Sequence, residues 1–455
     1  PQPTPPRPYG SIDVAARSAC MDRIRNFLSH LREQLWLVPV AFTVGAMLVA
    51  VFMLSFGSRV FNGEGEVWWL YNGSPESART LLSSLLSGLM TMTSLVISVT
   101  FVILTLAASQ LGPRLISMFV GDRQIQAVLG LFIGTIVYII AILRSVDENL
   151  GADGVPHAAV TLASLLTLVC LFALLFYIHK IARSIIADNV VEAVSQGLRK
   201  DVKGILRARD AAAPPAFEPP GFDRTGIAFR SIALEQQGYI QVIDYSRLVE
   251  IACENDAVIE VNVRAGHHVI CHGDHVRVPA GISGDCDKAI RKAFVIGSTR
   301  TAAQDLEHGI RQLVEIAVRA LSPGINDPFT AIAVIDRLTA ALEEILTGHL
   351  QPQLITDATG RVRVIADRSA IAGIVDMAFD AIRQAGADNP AILIRIADTL
   401  GALARPLPPG EALRGVLAQL AKLQESAEMG RLVSADREEV FARIAVARGI
   451  GRVPV

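Results

Sequence analysis

The sequence predicts an integral membrane α-helical domain of four spans, joined to a cytoplasmic α+β domain with a small β-rich module and a helical C-terminal part. Two observations carry this. The apolar excess of a chain of 455 residues that is 51% hydrophobic and 19% charged, with mean hydropathy +0.42, sits almost entirely before residue 180. That half contains four charge-free runs of about 20 residues, enough to cross a hydrocarbon core roughly 30 Å thick. Net charge is −2, so no basic field points to nucleic acid. Pro at position 1, in place of Met, carries the expectation that the true N-terminus lies upstream. The organisation read from the text is a cytoplasmic segment 1–35, a four-span domain 36–180, a helix and Pro-rich linker 181–225, a β-rich module 226–300 and a helical domain 301–455.

The first run, 36–56, exceeds a signal-peptide core and lacks a clear small-residue cleavage pattern, so it is read as an uncleaved span. Arg17, Arg23, Arg25 and Arg32 precede it, while Glu64, Glu66 and Glu76 outnumber Arg59 and Arg79 in the following loop. Arg114 and Arg123 lie between spans two and three, Asp147, Glu148 and Asp153 between three and four, and Lys180 and Arg183 after four. The basic excess alternates sides. The positive-inside rule then puts both termini in the cytoplasm of a bacterial cell, with the spans in its inner membrane. The five cysteines form no CxxC and no paired spacing, which suits a reducing compartment.

The second run is the most informative. Between Arg79 and Arg114 no residue is charged, and at about 1.5 Å per residue that stretch extends on the order of 50 Å. It must tilt, break near Gly88, or project beyond the bilayer before Gly112-Pro113 stops it. Thr80, Ser84, Ser87, Thr91, Ser94, Ser98, Thr105 and Ser109 recur in steps of three, four and one seven across Phe101, so they form one polar strip on a helix. Two readings stay open. The strip packs spans together, or it lines a water-filled axis made by several copies, with Arg79 and Arg114 at the mouths favouring anions. In the second reading Ser84, Ser87, Thr91, Ser94, Ser98, Thr105 and Ser109 line the pore. The partners expected are the lipid bilayer, further copies of the chain and, for a pore, ions. The third run, 125–143, contains Gly130 and Gly134, a GxxxG pair that permits close helix approach. The fourth is 158–178.

Residues 179–210 read as a helix continuing from the fourth span, and 211–220 as a linker. Between 226 and 300 short β-branched runs (239–243, 258–263, 268–271, 294–296) alternate with Gly-containing turns, with one helix near 246–254. Helical periodicity returns near 301–320, 328–347, 369–386, 390–404, 410–427 and 435–448. At Leu321–Ala331 the text LSPGINDPFTA stops one helix and starts another, with Asn326 or Asp327 as cap and Pro328 in the first turn.

Three passages, TLAASQLGPRLI (105–116), GYIQVID (238–244) and RTAAQDLEHGIRQLVEIAVRALSPGINDPFTA (300–331), resemble a family of bacterial predicted membrane proteins, the domain of unknown function 2254. The resemblance spans roughly 20–450. It implies an inner-membrane protein with this two-part layout and no particular activity.

Candidate chemistry is sparse. Four of the nine histidines lie in Gly266–His275 beside Cys271 and Asp274. His268, His272 and His275 are the candidate metal ligands, although a surface strand and turn account for the same residues. Asp305, His308, Gln312, Glu315 and Arg319 run along one side of the 301–320 helix, as a ligand or subunit surface or as a solvated face with i,i+4 pairing. Arg300 suits a phosphate or a carboxylate. Asp305, Glu315, Asn326 and Asp327 are the cytoplasmic motif residues to locate. No GxGxxG after a strand, P-loop, HExxH or GxSxG occurs, no nucleophile–base pair is identifiable, and the spans hold no carboxylate pair. The chain is therefore expected to be a non-enzyme without a cofactor. The leading expectation is an oligomeric channel-like protein with a cytoplasmic regulatory domain. A membrane-anchored scaffold or sensor without a pore is the alternative.

Overall fold

The computed structural model describes residues 36–61, 70–110, 122–146, 155–184, 187–211, 228–348 and 353–450. Arg114, the Gly112-Pro113 stop and the 212–220 linker lie outside the described residues. The chain divides into two compact units, one running to Asn189 and the other from Val190 onward.

The first unit is a bundle of α1 (Leu37–Phe61), α2 (Pro75–Gln110), α3 (Arg123–Ser145) and α4 (His157–Ser184). All four are long and apolar enough to cross a membrane. α1 packs on α3 at its GxxxG pair. A Cβ on Gly130 would stand 3.1 Å from the Phe42 side chain, and one on Gly134 3.1 Å from the Phe42 carbonyl oxygen. α2 packs on α3 and α4 and stays helical through Gly88 over 36 residues, about 54 Å. Of the three ways to house its length, the break is ruled out.

Hydrogen bonds stitch this bundle where its apolar surfaces alone would slide. Tyr138 Oη donates to the Ala159 carbonyl at 3.1 Å, and Cys170 Sγ lies 3.4 Å from Thr135 Oγ1. Tyr177 Oη on α4 donates to the Val96 carbonyl at 3.2 Å and also contacts Thr100 Oγ1 of α2. At one end, Asp122 caps α3 by accepting from Gln124 N at 2.8 Å and pairs with Lys180 of α4. Each bond satisfies a polar group that hydrocarbon would leave orphaned.

The second unit begins with α5 (Ala187–Ala211); residues 185–186, between α4 and α5, lie outside the described residues. Val190, Val191, Val194, Leu198 and Val202 are buried. Strands and helices follow in the order β1 (Phe229–Ile232), β2 (Gly238–Ile243), α6 (Tyr245–Glu254), β3 (Ile259–Val261), β4 (His268–Val269), β5 (Val276–Pro279), α7 (Cys286–Lys292), β6 (Phe294–Gly297), α8 (Leu306–Ala320), α9 (Pro328–Thr347), β7 (Leu354–Thr356), β8 (Val362–Ala366), α10 (Ile371–Ala385), α11 (Pro390–Ala404), α12 (Glu411–Met429) and α13 (Ser434–Ile450).

The sequence-based expectation placed one helix within 226–300 and strands only there, and both limits need correction. α7 is a second helix, and β7 and β8 come from the helical part. Five strands form a sheet in the order β1-β5-β3-β8-β7, and three form another in the order β4-β2-β6. β8 joins β3 in parallel, Ile259 opposite Val364 and Val261 opposite Ala366, and every other pairing is antiparallel. The β-rich module is thus completed by a hairpin from between α9 and α10. Ile240, Ile243, Leu248, Ile251, Ile259, Val276, Ile290 and Val364 form its core.

Candidate functional site

α2 has two faces that its own periodicity sets apart. Leu82, Leu89, Val96 and Ile103, each seven residues from the next, are buried and form the seam against the bundle. At 3.6 residues per turn, Ser84 lies about 200° and Ser87 about 140° around the helix from Leu82. The hydroxyls therefore sit opposite the seam. Thr80, Ser84, Ser87, Thr91, Ser94, Ser98, Thr105 and Ser109 are all exposed. Among the described residues none of the eight is buried against α1, α3 or α4.

Several hydroxyls bond locally. Thr80 donates to the Glu76 carbonyl (2.9 Å), Ser84 to Thr80 (2.9 Å), Thr91 to Ser87 (3.0 Å) and Thr105 to Phe101 (2.9 Å). Donation four residues back spares an exposed hydroxyl the cost of standing unbonded in lipid. Arg79 is exposed one residue before the strip, with Glu76 a turn away. Together with Thr80, Ser83, Ser84 and Ser87 they line a shallow open depression.

The motif residues around Arg300 and Asp305 fold into a charge lock. Asp305 lies before α8, not along it: its carboxylate caps the helix by accepting from Glu307 N at 3.1 Å. Arg300 reaches the same carboxylate at 2.6 Å, with the two side chains 18% and 1% exposed. The carboxylate suited to Arg300 is thus supplied by the chain itself. Burial raises the Asp305 carboxyl above its ordinary range, against the pull of Arg300. Glu307 bonds Arg264 (2.9 Å) and Ser369 (2.8 Å), and Arg264 bonds Asp367 (2.9 Å). Burial alone would raise the Glu307 carboxyl, but the Ser369 and Arg264 bonds hold it below its usual value. His267, 3.8 Å from Asp367, is pushed down by burial and then by Arg264.

Two of the passages that carry the family resemblance interlock here. Gln304 accepts from Ile243 N (2.9 Å) and donates to the Ile243 carbonyl (3.2 Å), while Gln241 donates to the Thr299 carbonyl (3.0 Å). Spacing had singled out Asp305 but not its neighbour Glu307, nor Arg264, Asp367 and Ser369, which lie in separate segments. The signal available was Gly266. Its φ is +88°, and a Cβ there would stand 2.2 Å from Asp305 Oδ2. Arg264, Arg300 and Arg311, the last 3.4 Å from Glu307, offset Asp305, Glu307 and Asp367, so the cluster's chemistry is cohesion between segments.

The remaining motif residues separate. Asp327 is the cap of α9, accepting from Thr330 N at 3.1 Å and Thr330 Oγ1 at 2.5 Å, and those bonds lower its carboxyl. Asn326 supplies the turn instead, at φ +50°. Glu315 pairs with Arg319 at 3.8 Å in the expected i,i+4 manner. Ile325 and Phe329 of the same turn are 43% and 81% exposed.

The histidines do not converge. His268 packs edge-on against Tyr239, ring centroids 5.0 Å apart, and His272 is exposed. His275 is buried and accepts from Leu234 N at 3.1 Å through Nδ1, and burial lowers its pKa. The metal reading of His268, His272 and His275 is corrected accordingly. One of the three is spent on a backbone amide, and among the described residues no group of three or more His, Cys, Asp or Glu is placed to hold a metal ion.

Comparison with known proteins fits this layout. The chain is 25% identical over 463 residues to an uncharacterised protein of Mycobacterium bovis and to uncharacterised proteins of two strains of Mycobacterium tuberculosis, covering 99% of this chain and 87% of each relative. No solved structure matches. The family model described as Predicted membrane protein (DUF2254) matches residues 32–402, well over half of the sequence. The chain belongs to that family of predicted membrane proteins.

Proposed function

We propose that the protein is an oligomeric, channel-like protein of the bacterial inner membrane, with both termini cytoplasmic. Copies of α2 face one another across an axis lined by Ser84, Ser87, Thr91, Ser94, Ser98, Thr105 and Ser109, and the unit from Val190 onward serves as a cytoplasmic regulatory domain. The observation that carries this reading is the exposure of the whole strip on the face opposite the seam. A polar strip running the thickness of a bilayer and turned away from its own bundle is suited to water shared with other copies. Neutral hydroxyls lower the barrier for ions without holding them, and Arg79 and Arg114 at the mouths favour anions.

The test is subunit stoichiometry in detergent, followed by potassium chloride flux from liposomes. A ring of several subunits whose flux is abolished by the Ser94→Leu, Ser98→Leu double variant supports the channel. A monomer, or flux indifferent to that variant, removes it. The back-donation of Thr80, Ser84, Thr91 and Thr105 favours one other reading, a membrane-anchored scaffold or sensor, because hydroxyls bonded to their own helix tolerate lipid. That reading expects a monomer or dimer whose function survives both substitutions.

A further inference from the structure

We propose that Phe101 is the hydrophobic gate of this pore, a constriction of phenyl rings near its cytoplasmic end; the inference rests on the reading of α2 as the pore-lining helix. Phe101 occupies the seven-residue step in the hydroxyl strip. Thr80, Ser87, Ser94 and Phe101 stand at successive intervals of seven, and a straight helix drifts only about 20° over each such interval. The phenyl ring therefore projects in line with the hydroxyls, between Ser98 and Thr105, and is 66% exposed. Val102, four residues after Ser98 and three before Thr105, shares that gap and is 65% exposed, while Met90, Leu95 and Ile97 flank the strip and Leu106 lies between the strip and the seam. Phe101 is the larger of the two side chains that interrupt the polar line.

Its height along the helix suits a gate. From Arg79 to Phe101 the rise is about 33 Å, close to the thickness of a hydrocarbon core. With both termini cytoplasmic, Arg79 marks the outer mouth and Phe101 stands toward the inner end of the bilayer, with Thr105 and Ser109 leading on to the mouth at Arg114. Several phenyl rings at one level make an apolar constriction that excludes water without sealing the path sterically, so a small rotation of α2 changes its wetting.

The turn that carries Phe101 is gripped from the opposite side. Tyr177 of α4 bonds the Val96 carbonyl at 3.2 Å and contacts Thr100 Oγ1, the residue before Phe101. α4 is also the span that leads in sequence into α5 and the second unit. A displacement of α4 therefore acts on α2 at the level of Phe101. Tyr177 is a positioning residue in this scheme and Phe101 the obstructing one.

The test uses the full chain in liposomes of phosphatidylethanolamine and phosphatidylglycerol, reading potassium chloride efflux. Phe101→Ser and Phe101→Ala raise basal efflux tenfold or more over the native chain, whether that chain leaks slowly or not at all, and Phe101→Trp lowers it. Two Phe101 variants are used because failure of one to assemble, checked by size-exclusion profile, leaves the other as the readout. If the native chain conducts, Ser94→Leu with Ser98→Leu abolishes conduction, and neither Phe101→Ser nor Phe101→Ala changes it, the gate is overturned and the pore stands. If neither the native chain nor any Phe101 variant conducts, the pore reading falls and the gate with it.

Discussion

Replacing Gly266 by Ala is expected to destabilise the second unit by about 3 kcal/mol, from two costs set by the backbone and by what lies above it. At φ +88° a side-chain-bearing residue is in the left-handed region, which costs roughly 1–2 kcal/mol. The added methyl also falls 2.2 Å from Asp305 Oδ2 and 2.6 Å from the Arg300 guanidinium. Neither group has room to move freely, since Asp305 is 1% exposed and Arg300 18%, and Asp305 also caps α8. Loosening hydrogen bonds between charged, buried groups costs roughly 1.5–3 kcal/mol. For a unit of this size a loss of about 3 kcal/mol lowers the melting temperature by roughly 6 °C or more. The assay is thermal unfolding of the purified full chain in detergent by far-ultraviolet circular dichroism. Gly281→Ala, where nothing stands within 4 Å of an added Cβ, is the control. A Gly266→Ala transition within about 1 °C of that control would refute the reasoning, because the lock would have absorbed the methyl at no cost.

Asp327→Ala should cost about 1 kcal/mol as a lost N-cap, and Asp327→Asn rather less, measured by urea unfolding. The Asp327 carboxyl is lowered by its bonds to Thr330, so the advantage of the native chain over Asp327→Asn is full above the ordinary carboxylate range. It is lost as pH falls through the lowered value; an advantage that grew on acidification would contradict the cap. At the contact between α5 and α8, a Cβ on Gly309 would lie 3.0 Å from Leu198 Cδ1. Gly309→Val should therefore destabilise by roughly 1–3 kcal/mol, and adding Leu198→Ala should recover part of the loss. Strict additivity in that double-mutant cycle would show that the two residues do not meet.

Local features were legible because their causes are local. The cap at Asp327 needs only an Asp, a Pro at the next position and a donor three residues on, and LSPGINDPFTA contains all three. The four spans follow from composition over about 20 residues; the observed helices run on well past the expected ends at Phe61, Pro75 and Ser184 and agree within two residues elsewhere. α8 was misjudged at its start because Arg300–Gln304 belong to the charge lock and to the end of β2, so a helical period running through them was coincidental. β7 and β8 escaped notice because two short strands between helices carry too little periodicity to stand out. The histidine run looked like a ligand set since spacing cannot say that His275 turns inward to accept from Leu234 N.

By itself the sequence determined that one membrane-length helix carries a line of eight hydroxyls broken once, at Phe101. Repetition along a helix is written in neighbouring residues, at the 3.6-residue period that any reader can apply. Which way that line faces was decided only by tertiary structure. The seam of Leu82, Leu89, Val96 and Ile103 buries itself against α3 and α4 because those helices offer complementary apolar surface, stitched by Tyr177 and Thr100. The hydroxyls are thereby left on the outside. The same holds for Arg264, Arg300, Asp305, Glu307 and Asp367, whose charges find one another across about a hundred residues of chain, since long-range packing fixes their geometry and sequence spacing does not.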